Sequence, residues 1–144
     1  MDIFQFKVTQ LADVEHLEIP FEPNIFFLFV SPGFSAIDAF VEQLALTYPD
    51  TEIVGCSTSG EILGDQVLDD CVALTAIRFQ STTLRVKETA LEQHPDSHAA
   101  GVALRKEFDE KGLRHIMVFS DGLHVNGAAL VKGLNEGGTS NPSI

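Results

Sequence analysis

The sequence predicts an α/β fold, in which a mixed β-sheet is flanked by helices within a single layered domain. The chain has 144 residues, which is about the length of one domain. Residues 25–30 and 116–119 are apolar at every position, as is typical of strands covered on both faces. Segments with helical spacing lie between the apolar runs, and this alternation favours helices packed against a sheet.

The first half of the chain is predicted to alternate between strands and one helix. Apolar residues at helical spacing follow Ser35, and Pro49 stops that pattern, so a helix is expected between them. A short β-rich segment begins at Ile53 and runs into a loop rich in Gly and Ser. The predicted elements are strands over 3–8, 25–30 and 53–55 and a helix over 35–48.

The second half is predicted to begin with a hairpin, which is what makes the sheet mixed. A helix is expected after Pro95 because Pro suits a first turn, and Gly112 lies just past its end. Asn126 is expected to cap the last helix, which runs through Leu134. The predicted elements are a hairpin of 71–79 with 84–87, a helix over 95–111, a strand over 116–119 and the capped last helix.

Charge and cysteine content restrict the function classes. Asp and Glu number 21 and Lys and Arg number 9, a net charge of −12, and all of that net charge lies in residues 1–70. Because nucleic acids and anionic membranes attract basic proteins, neither is expected as a partner. No apolar run approaches the ~20 residues of a membrane-spanning helix. Cys56 and Cys71 fit a reducing compartment, so a cytoplasmic location is predicted.

Three loops follow apolar strands, namely residues 31–35, 55–60 and 120–126. In open α/β sheets, ligands bind beyond the carboxyl ends of the strands, where loops of parallel neighbours converge. The amides and hydroxyls of loop 55–60 suit a carboxylate or phosphate, and Asp121 can accept from an ammonium or hydroxyl. The alternative reading is structural: a tight turn of small residues, and a turn followed by a helix cap at Asn126.

The motifs of common enzymes are missing. The sequence has no G-x-x-x-x-G-K-[ST] loop, no G-x-G-x-x-G fingerprint and no G-x-S-x-G elbow. His94 and His98 have i,i+4 spacing, but no acid or cysteine completes a known zinc pattern, so no metal and no cofactor are predicted. One catalytic alternative stays open, a small hydrolase or transferase that uses Cys56 or Ser59 with His124.

Two separated motifs occur in the order found in a known family. They are VGCSTSGEI over residues 54–62 and VFSDGLHVNG over 118–127, the latter followed by LVKGL over 130–134. Together they resemble the N-terminal FIST domain, and the resemblance covers residues 20–138. It implies a non-catalytic sensory domain of intracellular signal transduction that binds a small ligand, with amino acids suggested. It also implies partners: a FIST C-terminal domain or an output module such as a kinase, cyclase or chemotaxis receptor.

The resemblance also sets the expected boundaries. Family members continue past the Gly-Gly pair into a further Gly- and Asp-rich motif, whereas here residues 139–144 follow. We therefore expect a FIST N-terminal-like domain over 1–138 that is incomplete at its C-terminal end, and a flexible tail over 139–144. An exposed sheet edge is expected to pair in a homodimer.

The candidate binding site combines the two motifs. One set of residues comes from the first motif and the other from the second, and the two sets are expected to face each other across one crevice. The first set would hold an anionic group and Asp121 a cationic group, so a zwitterion such as an amino acid suits the pair. The predicted ligand-binding residues are Ser57, Thr58, Ser59, Gly60, Asp121, Gly122 and Asn126.

Overall fold

The computed structural model describes residues 1–144, and they divide into two compact units, Met1–Leu84 and Arg85–Ile144. The first unit holds all six strands, one α-helix and a short 3-10 helix at Leu11–His16. Its other elements are β1 (Asp2–Val8), β2 (Ile25–Val30), α1 (Ile37–Thr47), β3 (Glu52–Ser57), β4 (Glu61–Leu63), β5 (Gln66–Leu68) and β6 (Val72–Arg78).

Four strands of the first unit form one mixed sheet in the order β1-β6-β2-β3. β2 and β3 are parallel, whereas β6 is antiparallel to both β1 and β2. The predicted α/β class with a mixed sheet is confirmed. Because β2 and β3 run in the same direction, their carboxyl ends lie at the same edge of the sheet, and this places the loops after them side by side.

One face of this sheet carries the core of the first unit. In the register of the strands, Phe26 lies beside Ala76 and Leu28 lies beside Leu74, and all four side chains are buried. α1 contributes Phe40, which is fully buried and joins the same cluster. Burying a side chain of this kind contributes about 2–3 kcal/mol to stability. The apolar run over residues 25–30 thus forms a strand, as predicted, and it lies between β6 and β3 in the sheet.

The predicted hairpin between 71–79 and 84–87 is wrong. Residues 71–79 contain β6, but residues 84–87 form no strand. The reason is the sheet order: β6 already has β1 on one side and β2 on the other, so both of its edges are occupied. The hairpin that the structure does contain is β4–β5, which turns at Gly64 with a φ of 62°. Its strands have three residues each, too few for an alternating pattern to be visible in the sequence.

The second unit contains α2 (Ser97–Lys106), α3 (Gly127–Glu136) and a 3-10 helix at Leu91–Gln93. α2 is shorter than the predicted helix over 95–111. Asp96 is its N-cap and accepts from the amide of Ala99 at 2.8 Å. After Lys106 the α-helical hydrogen-bond pattern ends, and the amide of Glu107 donates to the carbonyl oxygen of Leu104, three residues earlier. The cap predicted at Asn126 is confirmed, since its side chain accepts from the amide of Ala129 at 3.1 Å.

Small residues allow α2 and α3 to approach closely. A Cβ atom on Gly101 would lie 3.0 Å from the amide nitrogen of Leu134, and one on Gly133 would lie 3.0 Å from the carbonyl carbon of His98. Both distances are shorter than ordinary carbon contacts, which have their optimum near 3.5–4.0 Å. The helix pair is therefore built on backbone-to-backbone contact. None of the helices in the structure is long and apolar enough to cross a membrane.

The strand predicted over 116–119 is not formed. The only pairing nearby is an isolated parallel bridge between His115 and Ser143, and the side chain of Met117 is 62% exposed. A strand needs a ladder of hydrogen bonds with a neighbour, and an apolar run does not supply one. The unbroken apolar run over 116–119 therefore gave a wrong prediction, although the same kind of run identified β2 correctly.

Residues 139–144 make several contacts within the second unit. Arg105 is fully buried, and its Nη2 donates to Glu110 at 2.7 Å and to the hydroxyl of Ser140 at 2.8 Å. The backbone of Gly138 lies against this guanidinium, since a Cβ atom there would overlap Cζ and Nη2 of Arg105. The mobility of the tail and the single domain over 1–138 stay predictions.

Candidate functional site

The carboxyl ends of β2 and β3 form one edge of the sheet in the first unit. Val30 is in register with Ser57, and the amide of Thr58 donates to the carbonyl oxygen of Val30 at 3.0 Å. This bond carries the parallel ladder one residue past the end of β3. Two of the three predicted loops, 31–35 and 55–60, therefore lie next to each other.

The predicted loop 55–60 overlaps β3, because the strand extends to Ser57 and is longer than the predicted 53–55. This segment combines a structural part with an accessible part. A Cβ atom on Gly55 would lie 2.9 Å from the Cβ of Leu28 and closer still to its carbonyl oxygen, so a small residue is required there. Ser57 and Ser59 are exposed and Thr58 is half-buried. The structural reading thus explains Gly55, whereas the exposed hydroxyls of Ser57 and Ser59 are accessible to solvent or a ligand.

Beneath this loop lies a buried carboxyl group, that of Glu61. Its side chain is fully buried, and its Oε1 accepts from the hydroxyl of Thr58 at 2.8 Å. Its Oε2 lies 3.9 Å from the thiol of Cys71. Burial raises the pKa of the Cys71 thiol, and the charge of Glu61 adds to this effect. Cys71 is therefore a protonated thiol and a weak donor, not an activated nucleophile.

Sequence reasoning did not select Glu61. The residue belongs to the first motif, directly after Gly60, but a single acid in a loop looks like a solvated surface residue. The available signal was its position between Gly60 and Ile62, at the start of a β-like segment. Charged side chains are almost never fully buried without a partner. The full burial of Glu61 therefore distinguishes it from a solvated surface acid.

The neighbouring loop is tied to the start of β6. The hydroxyl of Ser31 accepts from the amide of Asp70 at 2.9 Å, and the amide of Ser31 donates to the carbonyl oxygen of Cys71 at 2.9 Å. Asp70 has a φ of 52°, a left-handed conformation that costs a non-glycine residue free energy. These bonds hold loop 31–35 at the same edge of the sheet as Thr58 and Glu61.

The second predicted set of site residues lies in the second unit. Asp121 Oδ1 accepts from the amides of Leu123 at 2.6 Å and His124 at 3.1 Å, and Oδ2 lies 2.8 Å from Nδ1 of His124. These hydrogen bonds, that of the His124 side chain first, lower the pKa of Asp121 to about 2. The carboxylate beside it raises the pKa of His124. Asp121 therefore uses most of its hydrogen-bond acceptor capacity within its own turn.

The remaining residues of the second set are placed as follows. Gly122 has open space around its Cα, and the amide of Asn126 donates to the hydroxyl of Ser97 at 3.0 Å while its side chain caps α3. A groove of about 430 Å³ beside this cap is lined by nine residues. His94, His98 and His124 are among them. The structural reading of a turn plus a cap describes this segment well.

Each predicted set is therefore brought together within its own unit. Ser57, Thr58, Ser59 and Gly60 are consecutive in the first unit, and the other set belongs to the second. Their predicted arrangement across one crevice stays a prediction. Both cysteines are free thiols, and no group of three or more His, Cys, Asp or Glu is placed to hold a metal ion.

The architecture of the first unit defines a class of protein. Its parallel strands end in a loop rich in Gly, Ser and Thr, the kind of scaffold on which α/β proteins bind small molecules. The chain belongs to the FIST family: the model of the FIST N domain matches residues 24–144. FIST domains are sensory domains of signal transduction. Comparison with curated proteins and with solved structures found no match.

Proposed function

We propose that this chain is a non-catalytic sensory module that binds a small ligand, with an amino acid as the leading candidate, for signal transduction inside the cell. The observation that carries the proposal is the match of the FIST N domain over residues 24–144. The geometry in its favour is the loop after β3, where exposed Ser57 and Ser59 stand at the carboxyl end of a parallel strand pair. This is the end of the strands at which ligands of α/β proteins bind.

We propose the loop of the first unit as the principal ligand contact. Asp121 of the second predicted set already accepts three hydrogen bonds from its own turn through both oxygens, so it has little acceptor capacity left for a ligand. The hydroxyls of Ser57 and Ser59 carry no such commitment. Asn126 likewise serves its helix, and Gly122 contributes backbone only.

The absence of catalysis is part of the proposal. The catalytic alternative would use Cys56 or Ser59 with His124, but Cys56 and Ser59 belong to the first unit and His124 belongs to the second. His124 is paired through Nδ1 with Asp121, and both side chains are more than half exposed. Exposure of this kind supports a surface ion pair better than a water-excluded reaction centre.

The proposed partners follow from the family. A sensory domain transmits ligand binding to another domain, so we propose a FIST C-terminal domain or a signalling output module as the partner, in the cytoplasm. A homodimer through an edge of the sheet is a second proposed contact. β1 and β3 are the two edges of the four-stranded sheet, and an open edge is able to pair with another strand.

A thermal-shift screen of the full chain tests the proposal. The twenty amino acids and a set of small carboxylates are added singly, and a ligand present at 100 times its Kd should stabilise the folded state by about 2.7 kcal/mol. Ser59→Ala should weaken the response, because it removes an exposed hydroxyl of the loop. Ser81→Ala is the matched control. Ser81 is exposed and follows the carboxyl end of β6, whereas the candidate loop lies near the amino end of that strand. A screen without any stabilising compound would contradict the proposal.

A further inference from the structure

We infer that Glu61 is a positioning residue that makes Thr58 a hydrogen-bond acceptor, so that this part of the loop selects a cationic or N–H donor group of the ligand. The inference rests on the proposed function, because it assigns a polarity to the same loop. The loop was expected to hold an anionic group through its amides and hydroxyls. The geometry at Thr58 points to the opposite preference.

The argument starts from the single proton of a hydroxyl group. Thr58 Oγ1 donates to Glu61 Oε1 at 2.8 Å, and a carboxylate accepts hydrogen bonds without donating them. With its proton committed inward, the hydroxyl has only lone pairs left for a ligand. The amide of Thr58 is also committed, because it donates to the carbonyl oxygen of Val30. Thr58 therefore has no donor to offer an anion.

Burial makes the carboxyl group of Glu61 dependent on the hydroxyl of Thr58. The side chain of Glu61 is fully buried while Thr58 is only half-buried, so the carboxyl group lies beneath the hydroxyl. Oε2 of Glu61 has the thiol of Cys71 at 3.9 Å, a long contact with a weak donor. A buried carboxylate with one strong donor is poorly compensated. Releasing Thr58 toward an anionic ligand would remove that donor.

Nearby charges favour the same type of ligand. The charged residues that act on the thiol of Cys71 are Glu61, Asp69 and Asp70 on the acidic side and Lys7 on the basic side. The acids therefore outnumber the base at this edge of the sheet. A carboxylate group entering here would meet like charge, whereas an ammonium group would meet opposite charge. The chemical class expected at Thr58 is an ammonium or another N–H donor.

The test uses the full chain, labelled with ¹⁵N, and two small probes of opposite charge. Methylammonium chloride and sodium acetate are titrated separately at matched ionic strength, and the amide shifts of Thr58, Ser59 and Gly60 are followed by NMR. We expect methylammonium to move these amides and acetate to move them much less. Thr58→Val should reduce the methylammonium response about tenfold or more, since it removes a hydrogen bond to a charged group. Thr58→Ser keeps the hydroxyl and should keep the response.

Glu61→Gln separates positioning from simple packing. A carboxamide of nearly the same size is able to donate to the hydroxyl of Thr58 and carries no charge, so the response to methylammonium should fall although Thr58 is intact. If Glu61→Gln does not fold, the Thr58→Val and Thr58→Ser pair decides the question. The inference is overturned if acetate moves the amides as much as methylammonium does, if Thr58→Val responds normally, or if neither salt moves them.

The outcome is distinguishable from that of the proposed function. An amino acid that stabilises the chain in the thermal-shift screen, combined with an acetate-selective loop, would leave the sensory proposal intact and overturn the role of Glu61. A loop that responds to methylammonium without any hit in the screen would support the polarity of the loop. That second result would contradict the proposed amino-acid ligand.

Discussion

The close contact between α2 and α3 allows a quantitative prediction for Gly133→Ala. A Cβ atom at this position would lie 3.0 Å from the carbonyl carbon of His98 and 3.0 Å from the amide nitrogen of Val102, and nearer still to the carbonyl oxygen of His98. All three atoms belong to the backbone of α2. They cannot rotate away as the end of a flexible side chain could, so the two helices must separate.

The magnitude follows from two opposing effects. Alanine is the better helix former and favours the variant by about 1 kcal/mol relative to glycine. Overpacking a close contact costs about 1–3 kcal/mol, and contact with three rigid backbone atoms of α2 belongs to the upper part of that range. We therefore expect the free energy of unfolding of Gly133→Ala to fall by about 1–2 kcal/mol. The midpoint temperature should fall by several degrees.

The assay is urea denaturation followed by circular dichroism, and α3 itself supplies the control. Gly127 begins the same helix, and a Cβ atom there would meet nothing within 4 Å. Gly127→Ala should therefore be neutral or stabilise the chain by up to ~1 kcal/mol. If Gly133→Ala proves as stable as Gly127→Ala, the helices do not approach as closely as described, and the reasoning is refuted.

Three further predictions concern charge pairs and the core. In an NMR titration, the ring of His124 should titrate above the ordinary value of about 6.5, and Asp121→Asn should return it toward that value. Asp121 raises the pKa of His124, and His124 lowers the pKa of Asp121 to about 2. The pair therefore stabilises the fold fully between about pH 4 and about pH 6.5, and the effect is lost as the pH rises through the raised pKa of His124 or falls toward 2. Glu110→Gln should lower the melting temperature at pH 7, since the Glu110 carboxylate is bonded to the buried guanidinium of Arg105, and a variant with unchanged melting temperature would contradict this. That bond lowers the pKa of Glu110 to about 2. In the unmodified chain the stabilisation is therefore present above the ordinary carboxyl range and is lost as the pH falls toward 2. Phe40→Ala should cost about 3–5 kcal/mol in urea denaturation because Phe40 is fully buried, and a loss below ~1 kcal/mol would show that it lies outside the core.

The sequence predicted the elements whose signal is local. β2 is apolar throughout and is bounded by Pro and Gly, and Asn126 has the side chain that a helix start requires, so both were recognised. The error at residues 84–87 had a different origin, because the pattern of a strand does not say whether β6 has a free edge. Strand pairing depends on the order of the whole sheet, which no short segment contains.

The candidate site shows the same division between local and distant information. The Gly- and Ser-rich loop was visible in the sequence, and the parallel pairing of β2 and β3 places it at a sheet edge with loop 31–35. The burial of Glu61 was not visible, because it depends on Cys71, ten residues later in the chain, and on the packing of β4. A carboxyl group looks the same in sequence whether it is solvated or buried.

The contact between Arg105 and Gly138 implies that these two positions cannot vary independently. The guanidinium and the carboxylate of Glu110 both occupy the space that a side chain at 138 would need, so even an alanine there requires both members of this ion pair to move. In a double-mutant cycle, the two changes should therefore couple strongly, and the pair should cost less than the sum of the single substitutions. Among members of the FIST family, a side chain at the position of Gly138 should be accompanied by changes at the positions of both Arg105 and Glu110. Gly138 thus leaves room for the Arg105–Glu110 ion pair and is not a generic flexible joint.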